Sequence, residues 1–195
     1  MLQNFLVWAF AELKNLSVRP GTAKAYKSHL TKLKDFKGAF CFSEINDKLV
    51  QNYIKFLYDR LNKKSTVGRA LKTFSLFINI AIKSGFMGHN PINDIKKPNS
   101  PGNYEHLSAD ELARLVEYRN KLNLSASYRN VCTSFLFCCY TGLRFSDVVA
   151  LKYKNIKGGF IVLNTQKTES AVSIPIIKRV KDWIGTGAEN KKVFK

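Results

Sequence analysis

Residues 138–152 read CCYTGLRFSDVVALK. An apolar run stops at a Thr-Gly turn, and the residues after it place one arginine, Arg144, three positions ahead of one acid, Asp147. An arginine directly behind a buried helix and a glycine turn sits on rigid backbone, and its planar fork suits bidentate binding of phosphate oxygens. A short helix over RFSDVVALK puts Asp147 one turn further on, close enough to orient the guanidinium. The same pattern also describes an ordinary surface Arg–Asp pair, worth little energetically, so the surrounding sequence has to choose.

The charge favours a polyanion as partner. The 195 residues carry a formal net charge of +18, and the excess is spread along the chain: residues 1–100 hold 17 Lys/Arg against 6 Asp/Glu, residues 101–195 hold 15 against 8. So one-sided a balance points to nucleic acid rather than to a generic solubility surface, with a ribosomal or membrane-surface protein as the remaining alternatives. A hydrophobic content of 45% is that of a globular chain, and the length suits two small domains. No apolar stretch reaches the roughly 18 charge-free residues of a membrane helix. The opening MLQNFLVWAFAELK lacks a basic lead and a small-residue cleavage site, so a cytoplasmic protein is expected. Cys41, Cys132, Cys138 and Cys139 show no CxxC or Cys/His metal spacing, and three of them share one apolar segment. They read as reduced core residues, with neither metal nor cofactor expected.

Outward from the opening motif, the organisation is mainly α with a small β-hairpin. Helices are expected over 2–16, 20–37, 46–61 and 64–85. The second opens at Pro20 and turns Ala23, Tyr26, Leu30 and Leu33 inward, leaving Lys24, Lys27, Ser28, Thr31 and Lys34 as a basic stripe. The third buries Leu49, Tyr53, Ile54, Leu57 and Leu61. The fourth buries Val67, Leu71, Phe74, Phe77, Ile78 and Ala81, presents Thr66, Arg69, Lys72, Thr73 and Lys83, and stops at Gly85. GHNPINDIKKPNSPGN, residues 88–103, reads as an extended linker. The domains are therefore expected at 1–90 and 105–195, with 91–104 between them. In the second domain Ser108 and Glu111 have capping-box spacing, a helix over about 126–140 is apolar nearly all round, strands are expected at 160–164 and 171–174 around a turn holding Lys167, and a helix runs over 175–184 from Pro175.

Taken together, the four-helix basic module, the proline-rich linker, TGLRFSDVVALKYKNI and the hairpin TQKTESAVSIPI resemble the tyrosine recombinase (phage integrase) family, particularly the integrases of Bacteroides-type mobile elements. The resemblance covers nearly the whole chain, and TGLRFSDVVALK is its most specific part. It implies a four-helix, SAM-like core-binding domain followed by the front half of an α+β catalytic domain. It implies double-stranded DNA as partner, self-assembly on DNA in the full-length protein, and no membrane.

By this resemblance Arg144 matches the arginine that holds the scissile phosphate and stabilises developing charge. Asp147 matches that arginine's acidic supporter. Lys167 matches the lysine that protonates the leaving 5′ oxygen, though an ordinary exposed turn lysine would look the same. Lys27, Thr66, Arg69 and Lys72 fall where the family's second and fourth helices contact DNA.

The departures are equally specific. The family also needs a His-x-x-Arg motif, a further His or Trp, and a tyrosine that forms a 3′-phosphotyrosine. The last histidine here is His106 and the last tyrosine Tyr153, so neither follows Lys167. The expectation is a fragment truncated before those groups, with no arm-type domain ahead of it, that binds DNA without cutting it. The alternatives are a complete, naturally truncated DNA-binding regulator that occupies recombination sites, and a helical RNA-binding protein unrelated to recombination.

Overall fold

A computed structural model describes residues 4–96, 98, 102 and 105–194, in two units, Met1–Asn103 and Tyr104–Lys195. The start of the first expected helix, residues 97, 99–101, 103 and 104 of the expected linker, and residue 195 lie outside the described residues.

The first unit contains helices α1 (Phe5–Asn15), α2 (Pro20–Phe36), α3 (Asp47–Asp59) and α4 (Lys64–Lys83). Three of their starts are chemically marked. Asn4 caps α1 by accepting from the N–H groups of Leu6 and Val7 at 2.9 and 3.2 Å, and Asn46 caps α3 through Leu49 N–H at 3.0 Å. Pro20 opens α2, where the missing N–H would have had no partner in any case. The apolar stripes then meet around Phe5, whose ring lies 5.5, 5.4 and 5.6 Å from those of Phe40, Phe42 and Phe74. All six residues expected on the inner face of α4 are buried.

Three expectations fail in this unit, each for a local reason. Leu61 is 93% exposed, because α3 has ended and the residue sits at φ 56° in the turn beyond it. Thr73, expected outside, is buried against α2. The segment after α4 is also packed where an extended linker was expected. Buried Asn90 donates to Ser75 Oγ at 2.8 Å and Asn79 Oδ1 at 2.7 Å, accepts from Ile92 N–H at 3.0 Å, and so draws Pro91 and Ile92 into the core.

The second unit opens with α5 (Ala109–Asn120), started by the Ser108–Glu111 capping box. The helices α6 (Ala126–Thr141) and α7 (Phe145–Ala150) follow, then an antiparallel sheet β1 (Ile156–Lys157), β2 (Phe160–Asn164) and β3 (Ala171–Pro175) in the order β1-β2-β3, then α8 (Lys178–Ile184). Its core joins Phe137, Leu143, Val148, Leu151, Ile161, Val180, Ile184 and Phe194. Pro175 closes β3 opposite Phe160, where it was expected to open a helix; α8 starts at Lys178. Helix α6 is apolar on both sides but buries only one of them: Thr133, Ser134, Leu136 and Phe137 are buried while Tyr128, Val131 and Phe135 are exposed. Its three cysteines follow suit: with Cys41 of the first unit they are free thiols, none is fully buried and Cys139 is exposed, which corrects their reading as core residues.

Candidate nucleic-acid interface and phosphate site

In the second unit the backbone around Arg144 is fixed from both sides. Gly142 ends α6 in the left-handed region at φ 70°, and its N–H donates to Cys138 O at 2.9 Å. Leu143 is buried, and Arg144 is the N-cap of α7, its carbonyl accepting from Asp147 and Val148 N–H at 2.9 and 3.1 Å. The Arg144 side chain is exposed, and no hydrogen bond or ion pair holds its guanidinium among the described residues.

Asp147 has a different partner from the one expected. It is 2% exposed, and its Oδ1 accepts the N–H of Gln166 at 2.8 Å, while its Oδ2 is buried without a hydrogen bond. It does not orient the Arg144 guanidinium here. It ties α7 to the turn between β2 and β3, at the residue directly before Lys167. That turn is closed by its own bonds: Thr165 N–H to Ser170 O at 2.9 Å, Glu169 N–H to Thr165 O at 2.8 Å, and Thr165 Oγ1 to Thr168 Oγ1 at 2.7 Å. Lys167 is exposed on it. One hydrogen bond therefore connects the two short segments that carry Arg144 and Lys167.

Tyr153, the last tyrosine, donates its hydroxyl to Ile184 O at 3.0 Å and packs against Gly187. It is a structural residue of this unit.

In the first unit, Lys27 on α2 and Arg69 and Lys72 on α4 are exposed, and Thr66 is half-buried at the start of α4. No ion pair among the described residues involves Lys27, Arg69 or Lys72; Asp35 pairs with Arg60 at 3.6 Å and Glu44 with Lys37 at 2.6 Å. The helices are joined by a polar contact, His29 Nδ1 to Thr73 Oγ1 at 2.7 Å, and Lys32 Nζ donates to Asn62 Oδ1 at 2.9 Å. Burial first, then Lys32, then Arg69 hold the His29 pKa below its usual range. His29 and Lys32 thus belong to the same cationic seam as Arg69. The sequence reading missed them because the α2 stripe was drawn around Lys27 and Lys34, and the burial of Thr73 that brings His29 to α4 is a tertiary fact.

No grouping of His, Cys, Asp or Glu side chains that could hold a metal ion exists among the described residues, and none of their helices is long and apolar enough to cross a membrane.

Residues 4–100 match the family model of the phage integrase SAM-like domain. A lambda integrase tetramer bound to a Holliday junction has a similar fold, with TM-score 0.73 at 19% identity over 88% of this chain and 49% of that one. A lambda integrase dimer bound to a COC′ core site gives TM-score 0.74 at 19% identity over 89% and 49%. Residues 4–100 belong to the phage integrase SAM-like domain family. The Tn1549 transposon integrase in complex with circular intermediate DNA, at 12% identity, shares this recombinase fold with TM-score 0.71 over 92% of this chain and 62% of that one. The chain thus spans between about half and just under two thirds of the length of these structures. No curated protein sequence matches it.

Proposed function

We propose that this chain binds double-stranded DNA through the α2–α4 face of its first unit, and that Arg144 and Lys167 belong to the strand-breaking and rejoining centre of a site-specific integrase. The observation that carries the proposal is the cationic seam. Lys27, Arg69 and Lys72 stand exposed on two packed helices with no ion pair to a carboxylate among the described residues, within a segment matching the phage integrase SAM-like domain. Such charges gain most from a polyanion, whose condensed counterions they release. Similar folds occur in lambda and Tn1549 integrases bound to DNA, which supports the same partner here. The lambda integrase tetramer and dimer likewise support self-assembly on DNA as part of the proposal.

The chemistry proposed for the second unit is phosphoryl transfer. Arg144 would clamp the scissile phosphate with its fork, and Lys167 would give a proton to the leaving 5′ oxygen. Asp147 would set the turn bearing Lys167 against the helix that Arg144 caps. Tyr153, the one tyrosine that follows Arg144 in this sequence, has its hydroxyl engaged by Ile184 O and is not proposed as a nucleophile. This chain alone should therefore bind DNA and form no covalent adduct on a nicked suicide substrate; a trapped adduct would contradict that.

The DNA face is tested by replacing Lys27, Arg69 and Lys72 together with alanine. The variant should fold as the parent does and bind a duplex markedly more weakly, with a salt slope lower by roughly one unit per cation removed. Undiminished affinity would move the interface elsewhere.

A further inference from the structure

His29 lies on α2 where that helix packs against α4, half-buried beside the cationic seam. Its Nδ1 is 2.7 Å from Thr73 Oγ1, and the same threonine oxygen makes a second hydrogen bond, to the carbonyl of Arg69 at 3.2 Å. A hydroxyl has one proton to give. Both bonds exist together only when the threonine proton goes to Arg69 O and His29 donates from Nδ1. Neutral His29 is then the Nδ1–H tautomer, and its Nε2 is a bare lone pair with no hydrogen-bond partner among the described residues.

The surroundings of the ring favour its neutral form. The charged groups acting on His29 are Lys32, one turn along its own helix and tied to Asn62, and Arg69 of the facing helix; no carboxylate is among them. Protonation at Nε2 would turn it into a donor, but burial and the two neighbouring cations oppose that, as its depressed pKa records. An anion would remove the opposition by neutralising the cations and accepting the new N–H.

Resting on the reading that the α2–α4 face binds DNA, we propose that His29 is a further backbone-phosphate contact, which takes up a solvent proton at Nε2 as the phosphate settles beside Lys32 and Arg69. The phosphate and the proton then bind with positive coupling, each favouring the other by the same factor. The sign follows from linkage. Above the pKa of His29 in the complex both states are neutral and pH has no effect. As pH falls between that value and the lower free-protein value, the complex holds one proton more and affinity rises, by up to about tenfold per pH unit. Below the free-protein value the gain is complete.

The experiment compares the chain with His29→Asn, whose amide nitrogen stands in for Nδ1 toward Thr73 while nothing replaces Nε2. Binding to a random-sequence duplex of about 25 base pairs is titrated at fixed low salt, where phosphate contacts dominate, from about pH 8 to about pH 5.5. Thermal unfolding confirms that both proteins are folded. The parent should gain several-fold more affinity over this range than the variant. In the nitrogen-correlated NMR spectrum, free His29 should show the Nδ1–H tautomer and a pKa that rises on DNA. Equal pH profiles in two folded proteins that both bind DNA would overturn the His29 assignment alone. Absence of DNA binding at every pH would overturn the DNA-face reading and this assignment with it.

Discussion

Asp147 is a buried carboxylate whose one bonded oxygen accepts a backbone N–H, and its value lies in what it joins. Its Oδ1 links α7 to the Lys167 turn, so its removal takes away the hydrogen bond that Gln166 N–H makes to it. Asp147→Ala should cost about 1–3 kcal/mol of stability, the usual range for losing a hydrogen bond to a carboxylate, whereas Asp147→Asn retains an acceptor and should cost less. Chemical denaturation of the two variants measures this; equal costs would mean that the bond to Gln166 contributes nothing. The sequence did single out Asp147, and a short helix at the right place, but it gave the acid the nearest cation as partner. The actual partner is 19 positions away on a turn, and the closure of that turn by Thr165, Thr168 and Ser170 leaves no periodic trace in the sequence. Lys167 on a hairpin turn was legible, because β-rich runs on either side of a polar segment have few other solutions.

At the scale of elements, α4 shows how much a helix pattern predicts and where it stops. Its inner face was readable position by position, since six apolar residues at helical spacing leave one way to bury them. What docks beside it was not. A Cβ on Gly68 would lie 2.6 Å from the carbonyl oxygen of Pro98, so this glycine is the seat for the chain leaving the first unit. Helix propensity alone would make Gly68→Ala stabilising by about 1 kcal/mol. The contact predicts the opposite sign: alanine should destabilise the unit or displace Pro98, and trypsin should then cut faster after Lys96. A more stable variant with unchanged cleavage would show that the Pro98 contact has no weight. The two-residue strand β1 was overlooked although its signal is present. Gly158 and Gly159, at φ 54° and 80°, form the left-handed pair that tight hairpins require, but a partner strand of two residues offers no alternation to read. Pro175 misled in the other direction, because a proline suits the end of an edge strand as well as the start of a helix.

For the molecule as a whole, the net charge of +18 was visible at once and pointed to a polyanion as partner before any fold was in view. Which cations act together was not visible, since it depends on α2 and α4 meeting at His29 and Thr73. The account stands on those cations exchanging small counterions for DNA phosphates. Its most direct test is the affinity of this chain for duplex DNA as salt is raised from about 50 to about 200 mM. With roughly four phosphate contacts the affinity should fall about a hundredfold, linearly in the logarithm of salt concentration. An affinity that stays constant over that range, or no measurable binding at the lower salt, would contradict it.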